Sequence, residues 1–157
     1  MTGWRAALAV LLLGLAGPAA ASELRPFVAG SWSALRTAHA GRPLVVGFWS
    51  QTCLPCLAEM PVWSRFVRSH PGVAVVLVAT DPLDEADALR RLLRRHGVEA
   101  LENWAFADDF VESLRFEIDP DWRGELPRSY LIAPSGTVTA ITGLMDEARL
   151  RSWLAVP

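Results

Sequence analysis

Residues 44–79 carry the pattern that decides the fold, and they read LVVGFWSQTCLPCLAEMPVWSRFVRSHPGVAVVLVA. Residues 44–49 are a continuous apolar run preceded by glycine and proline, which is typical of a strand buried on both faces. A second such run occupies 73–79. Between the runs, apolar residues of 54–70 recur at spacings of three and four, which predicts a helix. Strand, helix and strand in this order predict a βαβ unit with two parallel strands.

The rest of the chain extends this unit into a three-layer α/β domain. Hydrophobic periodicity predicts helices at 84–96, 108–116 and 146–154, and strands at 104–107, 129–132 and 137–142. The stretch 117–128 is rich in Asp, Pro, Gly and Arg, and we expect it to be irregular and exposed. Because the last two strands form a hairpin while the first two are parallel, the predicted sheet is mixed.

Composition limits the classes of protein to be considered. The chain has 157 residues, 52% of them hydrophobic, and a formal net charge of -2. These values predict one globular domain with a substantial core, and they exclude a disordered chain or a strongly basic nucleic-acid-binding protein. All 15 basic residues are arginines, so lysine chemistry such as Schiff-base formation is excluded.

The N-terminal segment has the pattern of a secretory signal. Arg5 precedes an eleven-residue apolar run at 6–16, and small residues follow up to Ala21. The run is shorter than the roughly twenty residues that a membrane-spanning helix needs. We predict a signal peptide at 1–21 and a mature domain at 22–157, exported to the periplasm or an equivalent oxidising compartment. An uncleaved membrane anchor is the alternative.

The chain has two cysteines, Cys53 and Cys56. A structural disulfide between them would close a four-residue loop, to which the chain-entropy model assigns only about 2 kcal/mol. A zinc site needs four ligands, and the three histidines of the chain lie outside this motif. Copper can be held by fewer thiolates, so copper delivery stays an alternative.

Redox catalysis fits the placement of the two cysteines best. Cys53 lies where the helix after the first buried strand begins, close to unpaired backbone N–H groups and the positive end of the helix dipole. Such settings stabilise a thiolate. Cys56 lies one turn further on, where it can attack a mixed disulfide at Cys53. Pro55 suits a first helical turn because its missing N–H would have been unpaired there.

Residues 48–61, FWSQTCLPCLAEMP, resemble the active-site segment of thioredoxin-fold proteins, in particular the exported TlpA/ResA-like thiol-disulfide oxidoreductases. Further along the chain, the residue pair 126–127, the turn at 135–136 and Gly143 are similar to the family's cis-proline segment and last two strands. The resemblance implies a thioredoxin-like α/β/α fold with a mixed central sheet and a central strand-helix insertion.

The resemblance also implies catalytic roles for four residues. Cys53 would be the nucleophile and Cys56 the resolving thiol. Pro127 would be a cis-proline that faces the disulfide, and Glu59 would influence the proton affinity of the cysteines. A solvated position on the helix is the alternative for Glu59.

Substrate-binding residues are implied beside the dithiol. Trp49 and Leu126 would flank the active site, and Arg128 would add a charge beside the substrate groove that could select an acidic partner. The sequence departs from the family pattern at Gly47, where thioredoxins carry a buried aspartate, and at Thr52, where a tryptophan is usual.

The activity implied by the resemblance is reduction of disulfides in client proteins, such as in cytochrome c maturation or respiratory copper-site assembly. The electron donor would be a membrane thiol-transporting protein. The expected protein is a monomer that needs no cofactor, no metal and no nucleic acid. Two alternatives use the same thiols: a copper-binding or delivery protein, and a dithiol oxidant, because small environmental differences reverse the direction of exchange.

Overall fold

A computed structural model describes residues 23–155 of the chain. The predicted signal peptide at 1–21 lies outside the described residues, so export stays a prediction. No helix within 23–155 is both long and apolar enough to cross a membrane.

Strands and helices alternate along the described chain, except that the last two strands follow one another. The strands are β1 (Leu24–Phe27), β2 (Leu44–Trp49), β3 (Ala74–Pro82), β4 (Glu102–Phe106), β5 (Arg128–Ile132) and β6 (Val138–Thr142). The helices are α1 (Ser31–Ala38), α2 (Leu54–Ser69), α3 (Ala86–Arg95), α4 (Val111–Ile118) and α5 (Glu147–Leu154), and a 3₁₀ turn at Leu83–Glu85 precedes α3.

The six strands form one mixed sheet in the order β1-β4-β3-β2-β5-β6. The first four strands in this order are parallel, β5 is antiparallel to β2, and β6 is antiparallel to β5. Apolar residues of α2, α3 and α5 form one core on one side of the sheet, and those of α1 and α4 form a second core on the other side. The predicted three-layer architecture with a mixed sheet is confirmed.

The βαβ unit that the sequence predicted is present. Strand β2 is buried along its whole length, as its apolar composition requires, and pairs in parallel with β3 from Leu44↔Ala74 to Trp49↔Ala79. Because β2 ends at Trp49 while β3 continues to Pro82, the last residues of β3 lie beside the loop that leads into α2.

Two elements at the N-terminal end of the domain were not predicted. Strand β1 has only four residues, with Arg25 and Pro26 exposed between two buried ends, so it shows no alternating pattern. Proline is tolerated there because β1 is an edge strand. Helix α1 has only eight residues and no side-chain N-cap. Neither element carries a strong local signal.

The inserted strand and helix are β4 and α4, but the segment after them differs from the prediction. Helix α4 extends to Ile118, and Trp122 in the segment expected to be exposed is only 3% exposed. The Trp122 ring lies 4.9 Å from the Phe48 ring between centroids, and its Nε1 donates to the Glu125 carbonyl at 3.0 Å. Burial of one aromatic side chain therefore anchors a polar segment that has no regular structure.

Replacing this anchor is expected to cost stability. Trp122→Ala removes a buried aromatic side chain, and we expect the free energy of unfolding to fall by about 3 kcal/mol in urea titrations. Asp121→Ala is the matched control, because the Asp121 side chain is exposed and its removal should change that free energy by less than about 0.5 kcal/mol. Equal stability of the two variants would contradict the anchoring.

Candidate active site

The two cysteines lie at the start of α2, directly after the loop that follows β2. Cys53 is the N-cap residue of α2 and is partly exposed, whereas Cys56 is 1% exposed, and the two are joined in a disulfide. The backbone N–H of Cys56 donates to the Cys53 sulfur at 3.2 Å. The backbone N–H of Cys53 donates to the Ser50 carbonyl at 3.1 Å, which closes the turn.

This geometry has a direct chemical consequence. The first amides of a helix lack intrahelical acceptors, and here the Cys53 sulfur accepts one of them. Negative charge on that sulfur is therefore stabilised by a hydrogen bond and by the positive end of the helix dipole. The accessible cysteine is the one with this stabilisation, and the buried cysteine lies within bonding distance of it.

Pro127 directly precedes β5, and its position facing the disulfide stays a prediction. The Leu126–Pro127 peptide bond is cis, Pro127 is buried, and its carbonyl accepts the Gly143 N–H at 2.8 Å. Strand β5 begins at Arg128, which pairs with Phe48 near the end of β2. Pro127 therefore lies at the same edge of the sheet as the dithiol. Leu126 is half-buried and packs against both cores.

Glu59 is a buried acid one turn beyond Cys56. It is 4% exposed, and its Oε2 accepts the backbone N–H of Met145 at 2.8 Å. Burial raises the pKa of Glu59 to about 7, against the opposing effect of hydrogen bonds from Met145 and the Trp63 side chain. The alternative of a solvated helix position is wrong. The side chain can exchange a proton near neutral pH.

Gly47 on β2 lies against two core side chains. A Cβ at Gly47 would lie 3.2 Å from Cδ2 of Leu77 and 3.7 Å from Cζ2 of Trp63. Any side chain at position 47 would therefore require the Leu77 side chain to shift. Within residues 23–155, Glu59 is the acidic residue buried in the core.

Trp49 lies beneath the active-site helix. It is 2% exposed and belongs to the same core as Cys56 and Met60. Its indole Nε1 is buried without a hydrogen-bond partner among the described residues. Contact of Trp49 with a substrate stays a prediction.

Arg128 is held in a cluster of polar side chains. Its guanidinium pairs with the Asp119 carboxylate and donates to Thr142 Oγ1 at 2.6 Å and to the Tyr130 hydroxyl at 3.1 Å. Burial would raise the pKa of Asp119, but hydrogen bonds from the Asp121 backbone, Arg128 and Tyr130 lower it below its ordinary value. This cluster was not predicted, and a contact of Arg128 with substrate stays a prediction.

Three polar residues beside the dithiol loop were not predicted from the sequence. The Asp81 carboxylate at the end of β3 accepts the backbone N–H of Gln51 at 2.9 Å, and the Gln51 side-chain amide donates to Glu85. An acidic residue directly after a buried strand was the available signal, because the ends of parallel strands meet at one edge of the sheet.

The fold and the dithiol together define a thioredoxin-like protein, and comparison with solved structures agrees. A secreted Mycobacterium tuberculosis disulfide oxidoreductase homologous to E. coli DsbE superposes with a TM-score of 0.62 at 22% identity, covering 77% of this chain and 86% of that one. StoA from Bacillus subtilis superposes with a TM-score of 0.55 at 19% identity, covering 73% and 84%. The predicted thioredoxin-like fold is confirmed.

Comparison with curated protein sequences finds relatives within the class of thioredoxin-like proteins. Sporulation thiol-disulfide oxidoreductase A from Bacillus subtilis is 26% identical over 167 aligned residues, covering 92% of each chain. Thiol-disulfide oxidoreductase ResA from Oceanobacillus iheyensis is 27% identical over 128 residues, covering 73% of this chain and 56% of its own length. No family model matches the sequence. The chain is thus a thioredoxin-fold homologue of thiol-disulfide oxidoreductases of the StoA and ResA type, which supports disulfide oxidoreductase activity.

Restoring an acid at position 47 is expected to destabilise the protein. Gly47→Asp would place a charged side chain in a buried site against Leu77 and Trp63, and we expect a loss of about 3 kcal/mol in the free energy of unfolding. Urea titration of the oxidised protein measures this loss. Gly47→Ala is the matched control and should lose less, because the Leu77 side-chain end can move. A fully stable Gly47→Asp variant would show that the site has room for an acid.

The buried Glu59 predicts a pH dependence of stability. Its pKa is about 7 in the folded protein and 4.5 in the unfolded chain, so below pH 4.5 both states hold the proton. As the pH rises, the unfolded chain releases this proton first, and the folded state loses stability until the pH passes about 7. We expect wild type to lose about 3 kcal/mol relative to Glu59→Gln between pH 4.5 and 8. Parallel pH profiles in urea titrations would contradict this prediction.

Proposed function

We propose that the protein is an exported thiol-disulfide oxidoreductase that reduces disulfides in client proteins. The hydrogen bond from the Cys56 N–H to the Cys53 sulfur carries this proposal, because it stabilises negative charge on the more accessible of the two sulfurs. The names of both sequence relatives support the reaction class. The proposal includes the choice of clients, the direction of electron transfer and the export of the protein.

The reaction begins from the reduced dithiol. The Cys53 thiolate attacks one sulfur of a client disulfide, forming a Cys53–client bond, and the other client sulfur leaves as a thiolate and takes up a proton. Cys56 then loses its proton and attacks the Cys53 sulfur, which releases the second client sulfur as a thiol. The client disulfide gains two electrons and two protons, and the Cys53–Cys56 disulfide is the oxidised product.

Glu59 is proposed to accept the proton that Cys56 must lose. The resolving cysteine is buried, so solvent does not reach it easily, and Glu59 lies one helical turn away with a pKa of about 7. A carboxylate with this pKa can take up and return a proton at neutral pH. The hydrogen bonds from Met145 and Trp63 hold it in place.

Client recognition is proposed to occur around the cis-proline. Leu54 and Leu144 are exposed apolar side chains, one next to Cys53 and the other directly after Gly143, whose N–H holds Pro127. Together with Leu126 they give the dithiol an apolar rim suited to a polypeptide. Trp49 would support this rim from below, and Arg128 would border it.

A reductase in an oxidising compartment needs a supply of electrons. We propose a membrane thiol-transporting protein as the donor that reduces the Cys53–Cys56 disulfide. Apocytochrome c thiols and the copper-site cysteines of a respiratory oxidase are the proposed clients, in keeping with the family that residues 48–61 resemble.

Copper delivery is the alternative that uses the same two thiols. No group of three or more His, Cys, Asp or Glu side chains in residues 23–155 is arranged to hold a metal ion. Copper would therefore be bound by the two cysteines alone or with a ligand from a partner.

Trapping a client tests the proposed function most directly. In Cys56→Ser the resolving step is blocked, so we expect a mixed disulfide between Cys53 and the client to accumulate, and mass spectrometry to identify the attached protein. Cys53→Ser is the matched control and should trap nothing. Trapping by Cys53→Ser and not by Cys56→Ser would reverse the assigned roles.

Equilibration of the wild-type protein with glutathione and titration with Cu(I) separate the alternatives. We expect a reduction potential nearer the thioredoxin value of about -270 mV than the DsbA value of about -120 mV. A potential near the latter would establish an oxidant. Stoichiometric copper binding without any disulfide exchange would establish a copper-binding protein.

A further inference from the structure

Strand β3 extends past the end of β2 and runs beside the loop that carries the nucleophile. The last paired residues of the two strands are Trp49 and Ala79, and Thr80 and Asp81 continue the strand from there. The Thr80 hydroxyl donates to the Trp49 carbonyl at 3.3 Å, and the Asp81 carboxylate accepts the Gln51 N–H at 2.9 Å. Beyond the end of β2, side chains of β3 thus make the hydrogen bonds to the neighbouring chain that backbone groups make within the sheet.

We propose that Asp81 is a positioning residue for Cys53. By accepting the Gln51 N–H, its carboxylate fixes the turn 50–53 to the sheet and holds the Cys53 sulfur at the helix N-terminus. This inference rests on the proposed function only in taking Cys53 as the nucleophile. Nothing in the motif at 53–61 assigns a function to Asp81, which lies 28 residues after Cys53 in the sequence.

The other contacts of the turn show why Asp81 matters. Within the turn itself, the Cys53 N–H donates to the Ser50 carbonyl, and the hydroxyls of Ser50 and Thr52 lie 3.3 Å apart. These contacts close the turn but do not attach it to the sheet. Asp81 supplies an attachment from a buried strand, and without it the half-buried Gln51 N–H loses its acceptor.

The charges around Asp81 agree with a hydrogen-bonding role. Burial raises the pKa of Asp81 above its ordinary value, the hydrogen bonds from Gln51 oppose this effect, and the nearby Glu85 charge adds to it. Asp81 has no ion-pair partner among residues 23–155. The backbone and side-chain N–H groups of Gln51 donate to the neighbouring carboxylates of Asp81 and Glu85 and so reduce the cost of placing two negative charges close together.

Substitutions at position 81 separate the hydrogen bond from the charge. Asp81→Asn removes the charge but keeps an oxygen that can accept the Gln51 N–H. Asp81→Leu has nearly the same shape and no acceptor, and Asp81→Ala removes both shape and acceptor. We expect the rate of client or model-disulfide reduction to fall about tenfold in the Leu and Ala variants and to stay within about threefold of wild type in the Asn variant.

Alkylation of the reduced protein tests positioning without any client. We expect the pH at which Cys53 reacts half-maximally with iodoacetamide to be higher in Asp81→Leu than in Asp81→Asn, because a displaced sulfur loses its helix amide. Both variants lack the charge, so a difference between them reports the hydrogen bond. If wild type reduced no disulfide at all, the proposed function would fail while this profile would still test the inference.

Asp84→Asn is the matched control, since the exposed Asp84 carboxylate lies three residues after Asp81 and makes no contact with the turn 50–53 among the described residues. It should retain the alkylation profile of wild type. Thermal unfolding of each variant shows which ones fold. If Asp81→Ala does not fold, the comparison of Asp81→Asn with Asp81→Leu still decides the question. Identical profiles of Asp81→Asn and Asp81→Leu, or wild-type rates in Asp81→Leu, would overturn the inference.

Discussion

The hydrogen bond between the first turn of α2 and the Cys53 sulfur is the interaction on which the rest of the site depends. It forms because β2 is buried on both faces and ends at Trp49, so that the chain must turn within four residues and begin the helix at a fixed place. The sulfur then accepts an amide that would otherwise be unpaired. The core thereby determines which cysteine carries negative charge.

Carboxylates near this hydrogen bond oppose the stabilisation of a Cys53 thiolate. Glu59 lies in the first half of α2, and Asp81 and Glu85 bind Gln51 in the loop before it. Leu57 follows the second cysteine, where many thioredoxins have a basic residue. Nearby negative charge disfavours a thiolate, whereas strong thiolate stabilisation characterises the oxidant DsbA. We therefore expect the balance of one helix amide against acidic neighbours to give the Cys53 thiolate less stabilisation than in such an oxidant. The proposed reductase activity agrees with this balance.

The parts of the structure that could be predicted are those that local pattern encodes. The bounds of β2 follow from its continuous apolar run, and α2 follows from its periodicity together with Pro55 in the first turn. The contact between Asp81 and Gln51 depends on how far β3 extends past the end of β2. This register depends on both strands together and cannot be predicted from the sequence of either strand alone. The same holds for the pair of Arg128 with Asp119, which required α4 to end beside β5.

The position of the buried acid Glu59 is related to the packing around Gly47. With Gly47 on β2, the Trp63 indole can lie directly against the strand, and the same indole donates a hydrogen bond to Glu59. A side chain at 47 would be inserted between the strand and the Leu77 and Trp63 side chains, one of which is a donor to Glu59. The glycine on the strand and the glutamate on the helix are therefore two parts of one arrangement. The second donor to Glu59 is the Met145 N–H just before α5, so the last helix of the domain helps to hold the acid beside the dithiol.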